Sequence, residues 1–219
     1  MPETARKFEN NETRSYTFEM RAGKDGAAGN FVEGTAVVFN ARTDLGPFDE
    51  VIAPGALDRT DMKDVRFLVN HDTGMIPLAR SRNNNGNSTM LLTAGEDGLK
   101  VRISLDTENN TEARNLYSAI SRGDVSGMSF MFTVRGEQWD GLDGGHPTRT
   151  ITDIERIYEV SAVTFPAYEQ TDISARCRAQ LESCRELLES RKRQEESERL
   201  RIRNGADARR RKIALMELE

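Results

Sequence analysis

The chain offers almost no sulfur chemistry and little imidazole. Its cysteines are Cys177 and Cys184, and its histidines are His71 and His146, in 219 residues. If the cysteines share one helix, their spacing puts them about 10 Å apart along its axis, beyond the ~7 Å between Cα atoms that a disulfide tolerates. Two thiols with no histidine beside them also make a poor zinc site, so they read as small apolar side chains in a reducing compartment. No metal or cofactor is expected. Long apolar runs are missing too: nothing approaches the roughly 20 residues that cross a bilayer. The opening Met-Pro-Glu-Thr-Ala-Arg-Lys lacks the apolar centre of a secretory signal. The expectation is no membrane and the cytoplasm of the cell that makes the protein. Excess positive charge is also absent. A net charge of −5 argues against general nucleic-acid binding, which rests on Lys and Arg.

What is present is a body of short strands followed by a charged tail. At 37% hydrophobic the chain can bury a core over part of its length, while 31% charged residues place the excess polarity elsewhere. Residues 1–14 lack periodicity and are expected to fray. Alternation of Tyr16, Phe18 and Met20 suggests a strand over 13–22, and the Gly- and Ala-rich 23–30 a loop. Further strands are expected at 31–39, where Gly34 permits a bulge, at 48–52 and at 65–71; residues 53–57 make a turn. Residues 90–93 and 99–105 read as a hairpin. Ala113, Leu116, Tyr117 and Ile120 then form the apolar stripe of a helix, with Asn109 and Glu112 resembling a capping box and Gly123 at its end. After it come a strand over 128–134, a Gly- and Asp-rich turn over 139–147, and one or two strands over 150–165. The expected class is α+β, a mainly antiparallel β-barrel or sandwich with helices outside it. From Asp172 onward Ile173, Cys177, Leu181, Cys184 and Leu188 keep a helical stripe, and charge dominates 189–212. The organisation is a flexible 1–14, a body over 15–170, and a helical or disordered tail over 171–219.

Ser129 is the first residue to question. In an extended 128–134, Met128, Phe130, Phe132 and Val134 share one face and Ser129 takes the other with Met131 and Thr133. On that segment alone a structural serine is the better reading. A serine nucleophile needs a base, and histidine suits that at neutral pH. His146 sits in a glycine-rich turn, whereas His71 ends an apolar strand, on the face of Phe67 and Val69 by alternation. His71 is the better base. A third group must orient the imidazole. Asp153 and Glu155 flank polar sequence, but Glu159 lies in the apolar Tyr158-Glu-Val-Ser-Ala-Val-Thr-Phe165, where a carboxylate must be paired. A surface pair with Arg156 and a functional role weigh about equally for it.

The segments GTAVVFN, VIAPGAL, VRFLVNHD, DGLKVRISL, AISRGDVSGMSF and YEVSAVTFPAY, in this order over roughly 31–170, resemble the prohead maturation proteases of tailed bacteriophages. The resemblance implies a β-barrel ringed by helices, like that of the herpesvirus capsid-assembly proteases. It also implies a serine endopeptidase acting inside the immature shell in the host cytoplasm. Its substrates would be the major capsid protein with its scaffold segment, and the enzyme itself. The resemblance places the family's histidine on His71, its nucleophile on Ser129 and its acid on Glu159; Ser126 is the nearest rival nucleophile. Ser-Phe-Met-Phe departs from the commoner Ser-hydrophobic-Gly-Phe run. Oligomerisation is left open. The tail suggests recruitment by pairing with the scaffold segment. A non-catalytic scaffolding protein that keeps the fold is the competing reading.

Overall fold

The computed structural model describes residues 11–16, 20–26, 29–165 and 170–216; the side chains of 16, 170–176 and 206–216 are left aside. Phe18, from the first expected strand, lies outside the described residues. Numbered along the chain, the strands are β1 (Glu12–Tyr16), β2 (Arg21–Asp25), β3 (Gly29–Val38), β4 (Thr43–Asp44), β5 (Asp49–Ile52), β6 (Arg66–Val69), β7 (Ala79–Arg80), β8 (Met90–Gly95), β9 (Gly98–Leu105), β10 (Gly127–Asp140) and β11 (Thr148–Val163). The helices are α1 (Thr111–Arg122) and α2 (Gln170–Met216), with a short 3-10 turn at Arg82–Asn84. None of the described helices is long and apolar enough to cross a membrane.

The α+β class holds, but the closed antiparallel barrel does not. The strands form two sheets. One is antiparallel in the order β2-β3-β9-β8; the other runs β1-β10-β11-β5-β4, with β6 and β7 attached through β11. Along one flank β11 pairs parallel with β5 at Thr148–Ile151 and again parallel with β6 at Glu159–Ala162. Parallel partners need a long return between them, and the chain between β6 and β11 supplies one. Between the sheets lies one apolar core, including Val32, Leu99, Ile103, Phe67, Phe130, Phe132 and Val160. Phe130 and Phe132 stack with ring centroids 4.6 Å apart.

Helix α1 forms where its stripe predicted, burying Ala113, Leu116 and Ile120. Its cap is Asn110 and not Asn109: the Asn110 side-chain oxygen Oδ1 accepts from the N–H groups of Glu112 and Ala113. Gly123 closes it at φ 80°, a left-handed conformation that glycine adopts freely. The expected loop at 23–30 is partly strand, because β2 pairs with β3 from Arg21↔Glu33 to Asp25↔Gly29. The bulge in β3 falls between Thr35 and Val37, not at Gly34.

The charged tail is one long helix that is docked at its start. Cys177 and Leu181 pack on Phe48, whose ring meets Trp139 edge-on at 4.7 Å. Arg185 donates to the carbonyls of Leu142 and Gly144, and Lys192 pairs with Asp143 at 3.0 Å. Both cysteines are free, and burial pushes both thiols up, Cys177 the more enclosed.

Four strands meet in a buried cluster of charge. Arg14 of β1 grips Glu50 of β5 through two hydrogen bonds, of 2.5 and 2.7 Å, and Arg149 of β11 donates to the same carboxylate at 2.7 Å. Arg149 also binds Glu12 of β1, at 2.6 and 2.8 Å, and Glu137 of β10. Arg149 and Glu50 are 0% and 2% exposed. Removing one member of such a group strips charge-assisted hydrogen bonds from buried partners, and Glu50 is the acceptor for both Arg14 and Arg149. Glu50→Ala should therefore lower the unfolding free energy by about 3–5 kcal/mol, read from the urea midpoint; a loss below about 1 kcal/mol would contradict this account.

Burial alone would raise the Glu12 carboxyl. The hydrogen bond from Arg149 and the charges of Arg14 and Arg149 outweigh it and hold the group below its ordinary 4.5. With the folded pKa below the unfolded one, this stabilisation is complete above about pH 4.5 and is lost as pH falls through the folded value. Glu12→Gln should flatten the fall of Tm on acidification below that pH. An unchanged acid slope would refute the assignment.

Candidate active site

His71 reaches its position by leaving its strand. β6 ends at Val69, and Asn70 and His71 follow at φ 50° and 58°. This left-handed conformation is costly for residues other than glycine, though asparagine tolerates it. Several bonds hold it. Asn70 N–H donates to the Ala162 carbonyl at 2.9 Å, and the Asn70 side-chain oxygen accepts from Thr164 N–H at 3.0 Å. The His71 N–H donates to Ser161 Oγ at 3.2 Å. Strict alternation would have aimed His71 into the core beside Phe67 and Val69. The two left-handed residues turn it to the opposite face of the sheet, correcting that expectation.

On that face waits Glu159. Its neighbours Val160 and Ala162 belong to the core, so Glu159 and Ser161 project from the other side of β11. His71 Nδ1 lies 2.5 Å from Glu159 Oε1, and Ser161 Oγ donates to Oε2 at 2.5 Å. Glu159 is 2% exposed and both of its oxygens are engaged, which satisfies the cost of burying it. His71 is 17% exposed at its side chain. With Nδ1 held by the acid, Nε2 is the nitrogen left for other chemistry.

Ser129 lies on this same face. In the ladder it stands opposite Ser161 on one side and Ser15 on the other, so three serines cross three adjacent strands in a row. Ser129 is 0% exposed. Its hydroxyl donates to the Arg14 carbonyl at 2.9 Å and accepts from Ser15 Oγ at 2.9 Å. The structure thus joins His71 to Glu159 and sets Ser129 beside the strand that carries the acid, with its proton directed at β1.

The alternatives sort themselves. His146 is at the far end of the β10–β11 ladder, 3.2 Å from Asp49. Asp44, Asp49 and His146 are a grouping of metal-ligand type among the described residues, but Asp49 is already paired with Arg42 at 2.9 Å. Asp153 pairs with Arg59 and Arg135, the ordinary edge expected of it. Arg156 pairs with Asp61 at 3.7 Å, not with Glu159. Ser126 is exposed ahead of β10. Sequence reasoning missed Ser161, although its place two residues past Glu159 on a strand put it on the same face. It also missed Ser15, which nothing in the sequence pairs with β10.

A buried acid on Nδ1 of a histidine, on a sheet face that also bears a serine, is an arrangement found in serine peptidases. The chain falls in that class. Residues 16–185 match the model of the caudovirus prohead serine proteases, and the chain belongs to that family. It is 32% identical over 178 residues to the prohead protease of Enterobacteria phage HK97, an alignment covering 80% of this chain and 70% of that one. No solved structure matches. The protein is accordingly a capsid-maturation peptidase of the tailed-phage type, as the segments between 31 and 170 suggested.

Removing the Ser161 hydroxyl would leave Glu159 Oε2 and the His71 N–H each without a partner. Ser161→Ala should cost about 1–3 kcal/mol of stability, measured by urea unfolding. A neutral result would mean that water replaces both bonds.

Proposed function

We propose that the chain is a serine endopeptidase that cuts the major capsid protein, its scaffold segment and itself inside the prohead. Ser129 is the nucleophile, His71 the general base and acid, and Glu159 the orienting acid. The observation that carries this reading is the contact between His71 Nδ1 and a buried Glu159. A carboxylate on Nδ1 fixes the tautomer in which Nε2 bears the lone pair, and it stabilises the imidazolium that forms when Nε2 takes a proton. Ser129 then attacks the scissile carbonyl as its proton passes to His71, and the same proton later reaches the leaving amine. Backbone N–H groups stabilise the oxyanion. Ser161 acts on the pair from behind, gripping the acid with its hydroxyl hydrogen and the His71 backbone with its oxygen. No metal or cofactor enters the scheme. The helical tail would bring the enzyme to the scaffold segment in the assembling shell.

The test is co-expression with the major capsid protein and intact masses of both chains. Ser129→Ala and His71→Ala should each abolish cleavage, and Glu159→Gln should leave a residual rate about 10²–10⁴-fold lower. A fully active Ser129→Ala protein would overturn the assignment. Absence of cleavage by the wild type, with normal particles, would favour a scaffolding role.

A further inference from the structure

We propose that the edge of β10 along Gly127–Phe132 is where the polypeptide substrate binds, as an extended antiparallel strand, and that β1 occupies that place in this structure. The inference rests on Ser129 being the nucleophile.

β1 is the outermost strand of its sheet, and its sheet partner is β10. Remove it, and β10 presents an unpaired edge of N–H and C=O groups beside Ser129. Such an edge binds a peptide through main-chain hydrogen bonds, with pockets left to read alternate side chains. The register places Ser15 opposite Ser129, so the Arg14–Ser15 peptide bond lies alongside the hydroxyl. Ser129 donates to the carbonyl of that bond at 2.9 Å. A hydroxyl has one proton. While it is directed at Arg14 it is not shared with His71, and the fully covered Ser129 has no room for another carbonyl.

β1 is also held in a way that differs from its sheet. From Glu12 to Ser15 the strand Glu-Thr-Arg-Ser-Tyr carries polar side chains, and its anchors are the ion pairs of Arg14 with Glu50 and of Glu12 with Arg149. A strand fixed by polar bonds can exchange with another that makes the same main-chain bonds. An incoming peptide would lay one set of side chains over His71, Glu159 and Ser161, and the other toward Phe132, where the Arg14 guanidinium now lies 5.7 Å from the ring.

A reversible lock tests this in the full-length chain. Thr13 and Met131 are register partners. Their Cα atoms are therefore about 4.5–5.5 Å apart, a separation a disulfide can bridge. The double variant Thr13→Cys/Met131→Cys, its cross-link verified by mass, is compared oxidised and reduced. A second variant, Arg14→Ala, loosens β1 while Glu50 keeps Arg149 as partner. The probes are a fluorophosphonate for the serine and fluorescein-labelled casein for cleavage, with Ser129→Ala as the blank. Oxidation should lower both signals at least about tenfold, the shift of an open population that locking removes, and reduction should restore them. Arg14→Ala should react faster than wild type. If the oxidised and reduced forms react alike, with Ser129→Ala silent, β1 does not occupy the substrate's place, though the peptidase reading stands. If no form, Arg14→Ala included, exceeds Ser129→Ala, the nucleophile assignment fails and this inference falls with it.

Discussion

The antiparallel ladder between β10 and β11 is the constraint on which the molecule depends. It runs from Gly127↔Val163 to Asp140↔Thr148, and β1, β5 and β6 each pair with one of its strands. Because side chains alternate, a slip of one residue would drive Ser129 into the core and Phe130 onto the site. The core residues Phe130, Phe132 and Val160 make that slip expensive, so the apolar face determines where the polar face stands. Register shifts between Met131 and Glu137 add local twist and separate the ladder into two working ends.

Each end buries polar groups, and they do so differently. At one end Arg14 and Arg149 are raised still further above an already high guanidinium value by their glutamate partners, despite the opposing effect of burial. Such groups stay charged at any pH the protein meets, so the brace they form does not answer to protons. At the other end the basic member is a histidine, the side chain suited to giving and taking a proton. A brace of fixed charge and a site capable of proton transfer are therefore both assembled on the β10–β11 ladder.

Much of this was legible in the sequence, and the gaps have physical causes. Local periodicity located α1, the β8–β9 hairpin and the faces of β10, because those patterns depend on near neighbours. The apolar strand around Glu159 called for a partner, but left a surface pair with Arg156 and a functional role equally open. The face of His71 could not be read, since the alternation rule assumes extended backbone and Asn70 and His71 leave it. Pairing was equally hidden: alternation suggested a strand from residue 13, but nothing in Glu12–Tyr16 announces β10 as its neighbour. The pairing of Arg149 with Glu50 and Glu12 was not legible either, because it needs β1, β5 and β11 to meet. The parallel pairs of β11 require knowledge of which strands meet, which periodicity does not carry.

Helix α2 has a mechanical consequence. Its contacts with the body extend to Lys192 and Asp143, yet it continues unbroken to Met216. At 1.5 Å per residue the remainder projects some 35 Å. A helix is stiff over that distance, unlike a flexible tether whose ends wander. Anything that grips its tip would hold the body at a set stand-off, so the body would sweep a shell of fixed radius around the anchor and meet only what lies within it.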